Sequence, residues 1–185
     1  MNLEVWYSLS NTNISDIERL ERIIGELVFK NRIKMLFKPF KETVCPHQEA
    51  AYILLKWAEK EYMGLDVLKK LLLLKNVEKN RMEGMANELG LCTPQIRDLF
   101  DSDDYRLDLS VDYVESREFF INQTTLMVGE DNVIAITRND EDIKTFLIES
   151  FYKIKTKIAK CDQSSYCSDD KCQFKEQGVQ QVKCK

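Results

Sequence analysis

The run from Leu3 to Leu9 is rich in β-favouring residues (Val5, Trp6, Tyr7) and predicts a first strand. The polar, turn-forming Ser10-Asn11-Thr12-Asn13 closes it. Helical spacing takes over next. Ile17, Leu20, Ile24, Leu27 and Val28 keep to one face, Asn13 or Ser15 can cap the helix, and Asp16 and Glu18 suit its first turn. After Asn31, Ile33, Met35 and Phe37 alternate with Lys34, Leu36 and Lys38. A second strand is therefore expected, ending at Pro39. This strand-helix-strand opening has the length of a parallel crossover.

The middle of the chain reads as helical. Pro46 suits a first-turn position, and Ala50 to Met63 is apolar around most of its circumference. Gly64 interrupts, and Leu65 to Leu74 makes a second apolar helix. Val77 to Leu89 is a third, ended by Gly90; Thr93-Pro94 opens a fourth, and Tyr105 to Glu118 is a fifth. Strand character returns at Thr124 to Val128, turns through Gly129-Glu130-Asp131-Asn132 and comes back over Val133 to Thr137. Asn139 or Asp140 caps a last helix reaching about Ile158, with Ile143, Phe146, Leu147, Phe151 and Ile154 on its apolar side. The composition turns polar at Cys161, so 161–185 is expected to be a loosely attached tail.

Composition narrows the function classes. The 185 residues are 44% hydrophobic and 31% charged, which is globular, and the net charge of −4 is spread through mixed signs. No basic stripe suggests nucleic acid as a partner. The longest apolar stretch, Leu71 to Leu74, is too short to cross a bilayer, and Glu4 stands where a secretory leader would be basic; a cytoplasmic protein is expected. His47 is the single histidine, which removes two-histidine metal sites and most metallohydrolase schemes. Among six glycines there is no phosphate-cradling loop, no G-x-S-x-G and no dinucleotide fingerprint, so no cofactor is expected.

The order β-α-β, helical block, β-β-α resembles the α/β thioredoxin-like fold with an inserted all-helical subdomain, as in the DsbA-like oxidoreductases. The Leu3–Leu20 entry, the Ala50–Leu74 helix pair with its glycine, and Gln123-Thr124-Thr125-Leu126-Met127-Val128 look most like a cytoplasmic bacterial branch. That branch includes the ClpXP adaptor delivering the Spx regulator for degradation. The resemblance implies two halves of one domain at 1–44 and 120–160, a helical insertion at 45–119 and a Cys-rich tail at 161–185. Active relatives carry Cys-x-x-Cys at the start of the first helix, where the helix dipole and free N–H groups make a reactive thiolate. Asn11, Thr12, Asn13 and Ile14 fall on that motif here, and no cysteine lies in Met1–Val44. Thr124 falls where relatives carry a cis-proline. The bond before it is expected to be trans, because a non-proline cis bond costs about 2.5–4 kcal/mol.

Other candidate chemistry is sparse. Cys45, in Cys45-Pro46-His47, is a possible reactive thiol, lowered by the helix that follows and by His47; the plainer reading is a loop cysteine before that helix. Cys92 reads as a partly buried thiol. Cys161, Cys167, Cys172 and Cys184 lack the C-x2-C pairing of structural zinc, but a thiophilic metal or a redox signal could use them. Acidic pairs such as Asp103-Asp104 and Glu141-Asp142 sit at helix starts as caps. Trp6, Tyr7, Trp57, Tyr62, Phe119 and Phe120 read mostly as core.

The favoured expectation is a redox-inactive protein that binds another protein, a regulator or protease component. Its groove would be formed by Ser10, Asn11, Thr12, Asn13, Gln123, Thr124 and Thr125. An alternative is a thiol-disulfide oxidoreductase on non-standard cysteines, or a glutathione-type transferase or isomerase in which Ser8 or Ser10 activates the thiol. A third is thiophilic metal or metalloid binding through the tail. Monomer and homodimer are equally open.

Overall fold

A computed structural model describes residues 1–40, 46–74 and 77–164, with side chains at 1–40, 49–74 and 77–156. Strand β1 (Asn2–Tyr7) leads to helix α1 (Ile14–Glu26), a 3-10 turn (Lys30–Arg32) and strand β2 (Lys34–Pro39). Five helices follow: α2 (Pro46–Lys60), α3 (Gly64–Leu73), α4 (Lys79–Glu88), α5 (Thr93–Asp101) and α6 (Asp103–Glu118). Strands β3 (Thr125–Met127) and β4 (Val133–Ala135) and helix α7 (Asp140–Ser164) complete the chain. The sheet order is β2-β1-β3-β4, with β1 parallel to β2 and antiparallel to β3, and β3 antiparallel to β4. This is the expected thioredoxin-like α/β arrangement, with helices inserted between β2 and β3.

As an inner strand, β1 is buried on both faces. Leu3, Val5 and Tyr7 enter the main core with Ile17, Leu20, Leu54 and Leu147. Trp6 points the other way, onto Phe40 and Met127, with Phe119 and Ile121 packed beside them. Edge strand β2 is covered by α2 and α6 through charge. Glu59 of α2 accepts the Phe37 backbone N–H, and Lys38 pairs with Glu4 at 3.2 Å and with Glu115 of α6. Lys56 lies 2.8 Å from Asp112, joining α2 to α6. By accepting the Phe37 N–H, Glu59 takes one backbone donor of an edge otherwise open to a foreign strand. Pro39 is tolerated at the end of that edge strand.

Several expectations need correction. The first strand stops at Tyr7, not Leu9, because the chain turns at Ser8 to start the α1 loop. Val28 is fully exposed, since α1 ends at Glu26 and Leu27 is its last buried residue. The returning strand stops at Ala135 rather than Thr137. Helix α7 passes Ile158 and carries the backbone of Cys161 to Ser164, so the change of composition at Cys161 does not mark the helix end. Cys92 is exposed at the N-cap of α5, where Gln95 Oε1 accepts its backbone N–H at 2.9 Å; a cap faces water, and this thiol does too.

Two of the six aromatics are not core. Tyr62 and Phe120 are 95% and 87% exposed, with φ of 60° and 54°. Each is the left-handed residue closing a helix. Met63 N–H reaches Ala58 C=O and Tyr62 N–H reaches Glu59 C=O after α2; Ile121 N–H reaches Ser116 C=O and Phe120 N–H reaches Arg117 C=O after α6. Gly90 (φ 93°) does the same after α4 without strain. Tyr62→Gly and Phe120→Gly are each expected to raise stability by about 0.5–1 kcal/mol, since a left-handed non-glycine residue is penalised and little ring packing is lost. Urea unfolding measures this, and a loss of stability in both variants would contradict it.

Candidate functional site

The end of β1, the start of α1 and the segment before β3 meet at a cluster of hydroxyls. Ser8 and Thr12 close a tight loop: Thr12 N–H donates to Ser8 C=O at 2.9 Å, and Ser8 N–H donates to Thr12 Oγ1 at 2.9 Å. Asn13 then caps α1, its Oδ1 accepting from Ser15 N–H at 3.0 Å. The loop carries Thr12 to β3, where its hydroxyl lies 2.7 Å from that of Thr124. Both threonines are buried. Thr124 is fixed from behind, because Ile136 N–H donates to its C=O at 3.1 Å. No cis peptide bond occurs among the described residues, so Thr124 is joined in trans.

The segment Asn11–Ile14 and Thr124 are therefore neighbours, although their sequence separation exceeds a hundred residues. The side chain meeting Thr124 is that of Thr12; Asn11 is exposed and Ile14 half-buried. Ser10 and Gln123 are exposed on either side, and Thr125 is buried with its hydroxyl on Gln123 C=O at 2.8 Å. Sequence reasoning left Ser8 out of the groove. It is 2% exposed, and its Oγ lies 3.0 Å from Ser10 Oγ. The four-residue Ser8–Thr12 spacing was the available signal.

Among the described residues the hydrogen-bonded cluster of Ser8, Ser10, Thr12 and Thr124 is made of neutral hydroxyls. The contacts described between these hydroxyls are hydrogen bonds, and an alcohol becomes a nucleophile only beside a base or metal. Cys45 lies outside the described residues, as do Cys167, Cys172 and Cys184. His47 lies in the first turn of α2. Among the described residues no group of three metal-binding side chains occurs. The strongly perturbed groups lie elsewhere, where α2 and α6 pack on β1 and β2. Burial holds the Tyr7 phenol well above its usual value, with Tyr52 and Glu59 adding to the effect, and pushes Tyr113 up to about 12. Burial also raises the Asp112 and Glu59 carboxyls against the pull of Lys56.

Thr12→Val and Thr124→Val separate the roles of the two hydroxyls. Thr12→Val is expected to cost about 1–3 kcal/mol, because the buried Ser8 N–H loses its acceptor. Thr124→Val keeps that acceptor, and about 0.5–1.5 kcal/mol is expected. Equal losses in chemical denaturation would show that the Ser8 bond does not matter.

Three pockets lie away from this groove. One of about 560 Å³ separates the β3–β4 hairpin from α7. One of about 500 Å³ lies in the helical block, and one of about 440 Å³ lies beside β2 and Gly64. The groove residues line none of the three.

No protein-family model matches the chain, and no curated protein matches it. Solved structures do. A probable DsbA oxidoreductase of Streptomyces coelicolor superposes with a TM-score of 0.64 at 10% identity, covering 82% of this chain and 90% of that one. The thiol-disulfide exchange protein alpha-DsbA2 of Wolbachia pipientis gives 0.61 at 10% identity, covering 80% of each chain. A thioredoxin-like oxidoreductase of Silicibacter pomeroyi gives 0.58 at 11% identity, covering 82% and 86%. With the sheet order and the helical insertion, these likenesses establish the fold: the chain has an α/β thioredoxin-like fold with inserted helices, the fold of these DsbA-type structures.

Proposed function

We propose that this chain is a redox-inactive member of its fold group that binds an extended segment of another protein at the groove between Ser10–Asn13 and Gln123–Thr125. The observation that carries this is the Thr12–Thr124 hydroxyl pair, 2.7 Å apart, in the neighbourhood where related folds keep a reactive dithiol. Neutral hydroxyls and the exposed amides of Asn11 and Gln123 can hydrogen-bond a peptide backbone and cannot exchange a disulfide. The finer form of the proposal is an adaptor of the kind that hands a regulator such as Spx to ClpXP. It rests on the sequence resemblance. The neighbours' names support a second reading, thiol-disulfide exchange through Cys45 or the tail cysteines.

One experiment separates the two. Photo-crosslinkers at Asn11 and Gln123 are compared with one at the exposed Arg81 of α4, alongside insulin reduction by the same preparations. Discrete protein adducts from the first two positions only, with reduction at the uncatalysed rate, are expected. Turnover abolished by Cys45→Ser or by removal of 161–185 would overturn the proposal in favour of the exchange reading.

A further inference from the structure

The helical block holds a pocket of about 500 Å³, inside the range of roughly 300–1,000 Å³ typical of ligand sites. Trp57 and Glu61 come from the end of α2 and the residue after it. Leu89 and Leu91 come from the turn after α4, Asp98 from α5 and Tyr105 from α6. Two half-buried aromatic rings thus stand beside two exposed carboxylates and a pair of leucines. Unlike Asp101, Asp103 and Asp112 nearby in sequence, neither Glu61 nor Asp98 is ion-paired among the described residues. The Tyr105 ring already holds a cation, because Lys60 Nζ lies 4.3 Å from its centroid. Counting Lys60, two acids against one base leave the pocket at a net charge of −1.

We propose that this pocket takes the guanidinium of an arginine presented by a partner protein with apolar neighbours. A guanidinium is planar, stacks flat on an indole face and presents its N–H donors in a fixed fork while stacked, a geometry that the compact ammonium lacks. The leucines suit apolar residues on either side of the arginine, and the volume suits a short segment. The inference rests on the reading of the chain as a partner-binding protein only in assigning the cation to a protein. The site itself is separate from the Thr12–Thr124 groove.

The test uses the intact chain and the capped peptide acetyl-Leu-Arg-Leu-amide, read by tryptophan fluorescence. The chain has two tryptophans and Trp6 is fully buried, so a change abolished by Trp57→Phe belongs to the pocket. Saturable binding is expected, weakened at least tenfold when glutamine replaces the peptide's arginine. A similar weakening is expected with Asp98→Asn and Glu61→Gln combined; both residues are exposed, and far-UV circular dichroism should be unchanged. The absence of a saturable response, or equal binding of the glutamine peptide, would overturn the site. Free arginine binding as tightly as the peptide would overturn its assignment to a protein. None of these outcomes depends on whether the groove captures a partner.

Discussion

Replacing Asp112 by alanine is expected to destabilise the fold by about 3 kcal/mol, at the low end of the roughly 3–5 kcal/mol typical of breaking a buried ion pair. The Lys56 side chain is 15% exposed and its ammonium lies 2.8 Å from Asp112 Oδ2, so the variant leaves a mostly buried charge without its main partner. Glu59 Oε2, 3.9 Å from the same ammonium, compensates in part, which sets the lower figure. Removing both charges in Lys56→Met with Asp112→Leu is expected to be near neutral, since the desolvation penalty leaves with them. Urea midpoints of the single and double variants decide this. An equal loss in both would mean that packing, not charge, is at stake. The same carboxyl gives a pH signature. Burial raises Asp112 and Glu59 above their unfolded values, so the folded state holds the extra proton between the unfolded and folded pKa. At these two groups stability is therefore highest in acid and falls as pH rises from about 4. Asp112→Asn should flatten that fall, and an unchanged pH profile would contradict the burial argument.

Trp6→Ala is expected to cost about 3–5 kcal/mol, the usual range for deleting a buried aromatic. Trp6 is fully buried on the face of β1 opposite the main core, against Phe40 and Met127, with Phe119 and Ile121 alongside. Its ring also lies 5.1 Å from Lys38 Nζ, so the substitution strips a cation–π contact from the lysine that pairs Glu4 and Glu115. Calorimetric unfolding should show one cooperative transition at a much lower temperature. A loss under about 1 kcal/mol would mean that this second cluster contributes little to the fold.

The element order was legible in the sequence because its signals are local. Alternation across Lys34–Pro39, the one-sided apolar face of α1 and Asn13 as cap each depend on a few neighbouring residues. The ends were less legible. Leu27 is buried and Val28 is bare because the chain leaves helical geometry at Leu27, the C-cap of α1, and hydrophobicity alone does not distinguish the two. Tyr62 and Phe120 read as core because large aromatics usually are. Their exposure follows from hydrogen bonds that close α2 and α6 in a left-handed turn.

The site divides in the same way. The sequence by itself determined that no cysteine stands at the start of the first helix and that threonine precedes β3, because residue identity limits chemistry wherever the chain goes. It also determined the run of turn-forming residues that ends β1. Only the tertiary structure decided that Thr12, rather than Asn11 or Ile14, meets Thr124, because one residue of slip in a loop turns a different side chain toward the sheet. Tertiary structure likewise buried Asp112 against Lys56 and gathered Trp57, Glu61, Asp98 and Tyr105 around one pocket. Those contacts join helices remote in sequence, and their strength comes from removing water, which only the packed fold does.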